Sequence, residues 1–432
     1  MTAPRLLLVA LGSHGDIRPL LAIGAEAISR GGTAAILTNP HFEHEAASHG
    51  VRCIPFGSLE SVRAWVSRRP ATMHATRGPL TVLRAIIAPR TAALVRAVRS
   101  AIDDVCPDAV VAHQACIGAR WASEAAGVPF VDVALSPCAW MNPRDTLSLT
   151  PWRGPTPTPR AVRFDVWMGR RITGWLSDGP LNDARRSVGL PPVRHVWFEE
   201  LNASCLHLGL WSPAMRPGMP GDPPQAHVTG FARLETAGTG AMTEALRRFL
   251  DGGQPPVVVT LGTAVSHAHP EFHAMVVEAL AETGLRAVLV TGDDDYAPKG
   301  LPPSIMAIAR APFHLLFPAA RLAVHHGGIG TCAEAMVAGI PSLVLPAAHD
   351  QFDNASRCRR LGVARTLPLA RATAKRLRSS ILDAAADGSL QAKASDMGLE
   401  MQAESGAAAA VDAIVARVRG ELTPERPRAC RC

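Results

Sequence analysis

Apolar and polar positions change their period again and again along this chain. Residues 5–11 (RLLLVAL) form an unbroken apolar run, as in a strand covered on both faces within a parallel sheet. Gly12 and Gly15 then make a turn, and residues 17–29 carry apolar positions at helical spacing, closing on Gly31-Gly32. The same reading predicts strands at 34–37, 52–55, 108–112 and 128–135, and a helix over about 117–126. A longer helix over 79–102 is interrupted at Pro89, and a strand over 205–210 ends this half. Strand and helix alternating at this spacing predict a doubly wound sheet.

Between 136 and 159 the pattern dissolves into Pro, Trp and Thr, although Trp140, Met141, Leu147 and Trp152 keep the segment apolar. Residues 162–176 follow with Phe164, Trp167, Met168, Ile172 and Trp175 at helical spacing. Such a stripe is either core or one wall of an apolar pocket. On the second reading Trp140, Trp152 and Trp167 are candidate acceptor-binding residues. Pro213 to Pro224 is rich in Pro and Gly and reads as a linker, and residues 227–231 (HVTGF) lead into a second half. There, helices are predicted near 243–250 and over 272–282, strands at 256–261, 287–291 and 306–309, and helical stretches from 370 to about 418. The division expected is 1–215 for a first domain, 216–240 for the linker, 241–420 for a second domain and 421–432 for a tail. The class is α/β, two similar domains in tandem with a cleft between them.

The most informative stretch is 322–362, LAVHHGGIGTCAEAMVAGIPSLVLPAAHDQFDNASRCRRLG. An apolar run ends in two histidines, then a glycine turn opens a helix near Gly330, and a second apolar run over 342–345 ends in Pro346 and a polar cluster. In such a βαβ unit, a turn stripped of side chains lets backbone N–H groups approach an anion at the helix N-terminus. Glycines between strand and helix are common in α/β proteins, so the order of residue types has to carry the reading. His326 stands eight residues before Glu334, and Pro346, Asp350-Gln351 and Asn354 come after it.

That order resembles the donor-binding motif of the UDP-glycosyltransferase superfamily (glycosyltransferase family 1), whose members have the GT-B fold of two Rossmann-like domains facing each other across a cleft. The resemblance implies that His326, Gly328, Gly330 and Thr331 hold a diphosphate, Glu334 a ribose, and Asp350 and Gln351 a sugar, with Asn354 completing the donor set. It also implies phosphate contacts from Gly262-Thr263 and a frame for the nucleotide base from Pro312 and Phe313. The strings GSHGDIRP, HVTGF, HHGGIG and LPAAHDQFDNA most resemble bacterial rhamnosyltransferases that build rhamnolipids from dTDP-L-rhamnose and a hydroxyalkanoyl lipid. The activity this resemblance implies is an inverting transfer with a nucleotide diphosphate sugar as co-substrate and no cofactor or metal. Glucosyl transfer to a sterol, polyketide or other apolar aglycone is the second reading. A catalytically silent sugar-nucleotide-binding partner subunit and a nucleotide-sugar epimerase are the rivals of another class.

Asp16 has two readings. As the first polar residue before a helical run it is a good N-cap. In relatives with a Gly-Ser-x-Gly-Asp turn, matched here by Gly12 to Asp16, the acid is the general base that takes the acceptor's proton. His14 beside it is a candidate to orient it or shift its pKa. Asp293-Asp294-Asp295 fits a metal-holding Asp-x-Asp pattern, but reads better as an exposed loop, as do His267, His269 and His273.

A chain of 432 residues with 47% hydrophobic content supports two globular domains. Its net charge of +7 is spread over scattered arginines without interleaved aromatics, which argues against nucleic acid and fits an anionic substrate or a peripheral membrane contact. Nine dispersed cysteines without CxxC spacing indicate neither zinc nor disulfides. The first apolar run is too short for a span and reads better as a first strand than as a signal peptide, and no later window is long enough for a span, so a cytoplasmic location, reaching to the inner membrane face, is expected.

Overall fold

The structure is a computed structural model that describes residues 4–58, 69–150, 157–203, 205–234 and 242–421. Trp152 and the tail from 422 onward lie outside the described residues. The first sheet contains β1 (Arg5–Val9), β2 (Thr33–Thr38), β3 (Arg52–Pro55), β4 (Ala109–His113), β5 (Phe130–Ala134), β6 (Leu206–Gly209) and β7 (Ala226–Val228) in the order β3-β2-β1-β4-β5-β6-β7. The second contains β8 (Val257–Thr260), β9 (Ala287–Val290), β10 (Ile305–Ile308), β11 (Leu322–His325), β12 (Ser342–Val344) and β13 (Ala364–Thr366) in the order β10-β9-β8-β11-β12-β13. Every pairing is parallel; Leu7 lies between Ala35 and Val110, and Val324 between Val259 and Leu343. Such strands need cover on both faces, which is why they read as continuous apolar runs.

The helices that cover these sheets and shape the cleft include α1 (His14–Ser29), α2 (Ala88–Val105), α3 (Gly118–Ala126), α4 (Pro159–Arg186), α5 (Gly262–Ala268), α6 (Ile329–Val337), α7 (Gln351–Leu361), α8 (Gly388–Gln402) and α9 (Gly406–Val418). On one face of the first sheet, Leu6, Leu8 and Val111 pack against α1 and α9. On the other, Leu7, Val9 and Val110 meet α2 and Trp121 of α3. In the second sheet Val257, Val259 and Leu289 form one core face, and Val258, Val288 and Ala323 the other.

Four features depart from the sequence expectation. β7, inside the expected linker, is a strand of the first sheet, hydrogen-bonded to β6. α9, at the far end of the chain, crosses back and buries Ala410, Val411 and Ile414 in the core of the first domain. Helical periodicity identifies an apolar face but not the sheet it will cover. β13 was not expected; its three residues are too short to show a period. The helix expected to break at Pro89 instead runs unbroken as Gly78–Val105, 28 residues long and apolar enough to cross a membrane. A π turn over Leu83–Ile87 directly precedes Pro89, and this wider local winding accommodates the proline inside a continuous helix. Its inner side (Leu94, Val95, Val98) is core.

Candidate active site

Each sheet has one point where the chain leaves neighbouring strands in opposite directions: β1 beside β4, and β8 beside β11. Crevices open at the carboxyl ends of strands at such points. The turn Gly12–Asp16 follows β1, Gly262 follows β8, and the histidine–glycine turn follows β11, so the singled-out segments converge on the two crevices.

His326 occupies a slot made by glycines. A Cβ at Gly262 would lie 2.7 Å from its Cε1, and one at Gly328 only 2.5 Å from its Nε2. Gly262 also has φ +66, a conformation that favours glycine. Burial lowers the His326 pKa to about 4, so the ring is neutral at pH 7, and its Nδ1 is buried without a partner. Gly327 is required twice over, by φ +87 and by the 2.7 Å at which a Cβ would meet Val344. The preceding His325 is different: it is the last residue of β11, fully buried, and its Nδ1 accepts from the Gly327 N–H at 3.1 Å.

From Gly328, its N-cap, the chain enters α6 with no side chain capping the helix. The first helical N–H to find a backbone acceptor is that of Cys332, on Gly328 at 3.0 Å. The amides of Ile329, Gly330 and Thr331 are therefore free to point at an anion, and a Cβ at Gly330 would meet nothing within 4 Å. One turn on, burial raises the Glu334 pKa, while the charges of Arg233, His314 and Arg18 lower it. Arg18 belongs to α1, so this acid faces the opposite domain.

Asp16 is not the N-cap of α1. Ser13 is, and Asp16 stands three residues into the helix, its Oδ2 accepting from the Ser13 N–H at 2.6 Å and the Ser13 hydroxyl at 2.9 Å. A Cβ at Gly12 would stand 2.3 Å from that same oxygen, so the glycine makes room for the carboxylate. Across the cleft is Asp350. Burial raises its carboxyl to about 6; the Asn354 amide opposes this, and the negative charge of Asp16 adds to it. Next to it His349, absent from the sequence candidates, adopts the left-handed conformation with φ +55. Burial lowers its pKa, opposed by a hydrogen bond to the Thr72 carbonyl and by the charge of Asp16. A lone His before Asp-Gln has no pattern of its own, so only the fold brings it to the first domain.

The other candidates are placed as follows by the fold. The His14 ring packs on Phe42 with centroids 5.0 Å apart and turns Nε2 toward Glu45 at 3.7 Å; among the described contacts it makes no hydrogen bond to Asp16. Burial lowers its pKa to about 4. The Gln351 Oε1 accepts from the N–H groups of Ala347 and Ala348 at 2.9 and 3.0 Å, so its carbonyl serves the loop, leaving only the amide group for a ligand. Asn354 is fully buried, donating to the Gly327 carbonyl and the Asp350 carboxylate and accepting from Ser136 at 2.8 Å; it braces the turn from behind. Trp140 is 2% exposed and packs on Trp211 with centroids 4.5 Å apart, in a cluster shared by both domains, so it is core and not an acceptor wall. Trp167 lies 51% exposed on α4. Pro312 opens a short helix whose Phe313 stacks on Phe317 with centroids 4.8 Å apart. Thr263 is in the first turn of α5, and its side chain lies outside the described residues. Asp293, Asp294 and Asp295 lie at the surface, with Asp293 accepting from the Asp295 N–H. His267 faces Tyr296, His269 pairs with Glu271 and His273 is buried alone, so the three do not converge.

Sequence reasoning missed the buried charges that join the domains. Arg357 of α7 pairs with Asp353 at 2.6 Å and with Asp145 of the 136–150 segment at 2.9 Å. Arg216 also pairs with Asp145, at 3.0 Å, and with Asp222; Asp353 in turn accepts from the Ser148 N–H at 2.9 Å. All five side chains are nearly fully buried. The long Pro/Trp segment is thus a polar and aromatic weld between the domains, reaching Asn354 of α7 through Ser136.

Two doubly wound domains meeting at their switch points define the GT-B architecture. Solved structures agree: calicheamicin glycosyltransferase CalG4 matches with a TM-score of 0.72 at 21% identity, over 98% of this chain and 100% of that one. Spinosyn rhamnosyltransferase SpnG complexed with thymidine diphosphate matches with a TM-score of 0.63 at 18% identity, over 95% and 100%. Residues 275–416 match the family model for the C-terminal domain of erythromycin biosynthesis protein CIII-like proteins. O-mycaminosyltylonolide 6-deoxyallosyltransferase of Streptomyces fradiae is 28% identical over 93% of this chain and 94% of its own length. A sterol 3-beta-glucosyltransferase of Arabidopsis thaliana is 24% identical over 98% of this chain and 69% of its own. The chain is a glycosyltransferase of GT-B architecture.

Proposed function

We propose that the enzyme moves a 6-deoxyhexose from a dTDP-sugar to a hydroxyl of an apolar acceptor, with inversion and without a metal. dTDP-L-rhamnose and a hydroxyalkanoyl lipid are the first pair to test. The observation that carries the reading is the meeting of Asp16 with Asp350 beside an uncapped helix N-terminus and a histidine in a glycine slot. Asp16 takes the proton of the acceptor hydroxyl as its oxygen attacks the anomeric carbon. The bond from that carbon to the diphosphate breaks on the opposite side, and the sugar inverts. The charge left on the diphosphate meets the N–H groups of Ile329, Gly330 and Thr331 and the His326 ring, whose pKa rises as the anion arrives. Glu334 is suited to the hydroxyl of the donor's nucleoside, which in a dTDP-sugar is the 3′-hydroxyl of the deoxyribose, and Asp350, when ionised, to hydroxyls of the transferred sugar.

The rhamnosyl and lipid assignments rest on the strings GSHGDIRP, HVTGF, HHGGIG and LPAAHDQFDNA. Glucosyl or deoxyhexosyl transfer to a polycyclic or macrolide acceptor is the second reading, supported by what the Arabidopsis and Streptomyces relatives are named for. The test is turnover of dTDP-rhamnose, dTDP-glucose and UDP-glucose in EDTA, each with a hydroxyalkanoyl lipid, a sterol, a macrolide or no acceptor. Lipid-dependent use of dTDP-rhamnose is the expected result. Preference for a ring acceptor moves the assignment to the second reading. Turnover only when Mn²⁺ is restored refutes the metal-free step.

A further inference from the structure

We infer that α4, with the long helix it lies on, is a docking face for an anionic lipid surface. α4 buries one side, through Val162, Gly174, Ser177 and Leu181, against the first domain. Its opposite side presents Phe164, Trp167 and Trp175, which are 51%, 51% and 84% exposed. In a chain with only 5% aromatic residues, these large rings on one helix face are unpartnered surface. Positions 164, 167, 171 and 175 form one stripe at helical spacing. α4 packs along Leu83–Ile87 and α2, that is, on the 28-residue apolar helix Gly78–Val105, whose most apolar window is only 33% buried. Ile86 and Ile87 stay half-buried on that helix, so the apolar surface does not end at α4.

Charge identifies the occupant. Arg170 and Arg185 of α4 pair with Glu199 and Glu200. Arg160, Arg163 and Arg171, nearer the outer face, have no carboxylate partner among the described residues; the guanidinium of Arg171 lies 5.6 Å from the Trp167 ring. Along the neighbouring helix Arg84, Arg90, Arg96 and Arg99 are likewise unpaired among the described residues, and the last two line an open hollow with Ser187 and Val188 just past the end of α4. Indole rings flanked by unpaired guanidinium groups suit the boundary between acidic headgroups and acyl chains: the rings enter the apolar side and the cations meet phosphate. The long helix cannot itself enter the bilayer, because its inner side belongs to the core of the sheet. Contact is therefore peripheral, and it needs neither a sugar donor nor an acceptor.

The test is co-sedimentation of the full chain, without substrates, with vesicles of phosphatidylcholine alone or mixed with phosphatidylglycerol, alongside tryptophan emission. Binding to the acidic vesicles, a blue-shifted emission and weakening by salt are expected. Arg84→Gln, Arg160→Gln and Arg163→Gln should each lower the partition about fivefold, the equivalent of about 1 kcal/mol per cation at such a surface. Phe164→Ala, Trp167→Ala and Trp175→Ala combined should lower it by at least about tenfold and abolish the blue shift. Arg248→Gln, on the second domain, should leave it unchanged. All these side chains are exposed, so the variants are expected to melt as the parent does. Equal binding to both vesicle types, or binding indifferent to the variants, overturns the inference. So does a dimer that the aromatic variant dissociates in a protein that binds no vesicles. An aromatic variant that keeps its vesicle partition but loses kcat/KM for a water-soluble acceptor would likewise overturn it, assigning the stripe to the acceptor cleft.

Discussion

Replacing Gly328 by alanine isolates the histidine slot from everything else in the turn. Gly328 has φ −59 and ψ 137, which any residue adopts, so alanine adds no backbone strain. Its Cβ, however, would stand 2.5 Å from Nε2 and 3.1 Å from Cε1 of His326. Ordinary contact requires the ring to move by about 1 Å. Gly262 closes the other side, so the ring has to leave the slot. Because Nδ1 has no partner to lose, the fold should give up no more than about 1 kcal/mol. Donor binding should lose a charge-assisted hydrogen bond, about 1.5–3 kcal/mol, or roughly 10–150-fold in the Kd of the nucleotide diphosphate. Calorimetric titration of G328A, H326A and the double variant, each with its melting curve, measures both. The two single losses should be similar, and the double variant should be no worse than the stronger single by more than about 0.5 kcal/mol. Wild-type affinity in G328A beside weak binding in H326A would refute the slot, and so would losses that multiply.

The same geometry predicts three further outcomes. Asp16→Asn keeps an acceptor for the Ser13 N–H, so stability and donor affinity should hold while single-turnover transfer falls by about 10²–10⁴; unchanged transfer would remove Asp16 from the chemistry. Arg357→Met leaves Asp353 and Asp145 with buried, under-compensated charge, and urea unfolding should register a loss of about 3–5 kcal/mol, partly recovered by adding Asp145→Asn. Asp350, with its carboxyl at about 6 against the ordinary 3.8, binds a proton in the folded state where the unfolded chain does not, so its contribution to stability falls as pH rises from 3.8 to 6. In activity the sign is opposite: kcat/KM should drop below pH 6 as the Asp350 carboxylate is neutralised, and Asp350→Asn should erase that limb.

Local pattern determined a good deal of this protein. Continuous apolar runs at β1, β8 and β11 follow from burial on both faces of a parallel sheet, a property of each strand's own residues. The turn at Gly327 and Gly328 was legible because glycine there answers a local need, a left-handed φ or room for a ring. So was the candidate donor seat, whose parts lie within one βαβ unit from His326 to Asp350. What sequence could not determine were relations between distant segments. Asn354 belongs to a recognisable string, yet it is occupied by a partner that only folding supplies, Ser136, more than two hundred positions earlier. Trp140 read as pocket because an apolar, proline-rich segment looks alike whether it lines a cleft or welds two domains. The helical period of α4 marked Trp167 and Trp175 as one stripe, but whether a stripe faces core or solvent depends on what else covers that side. α9 crosses to the first domain, and Arg357 finds Asp145 more than two hundred positions away. Such contacts are decided by the summed packing of both sheets, for which no short window of sequence carries the information.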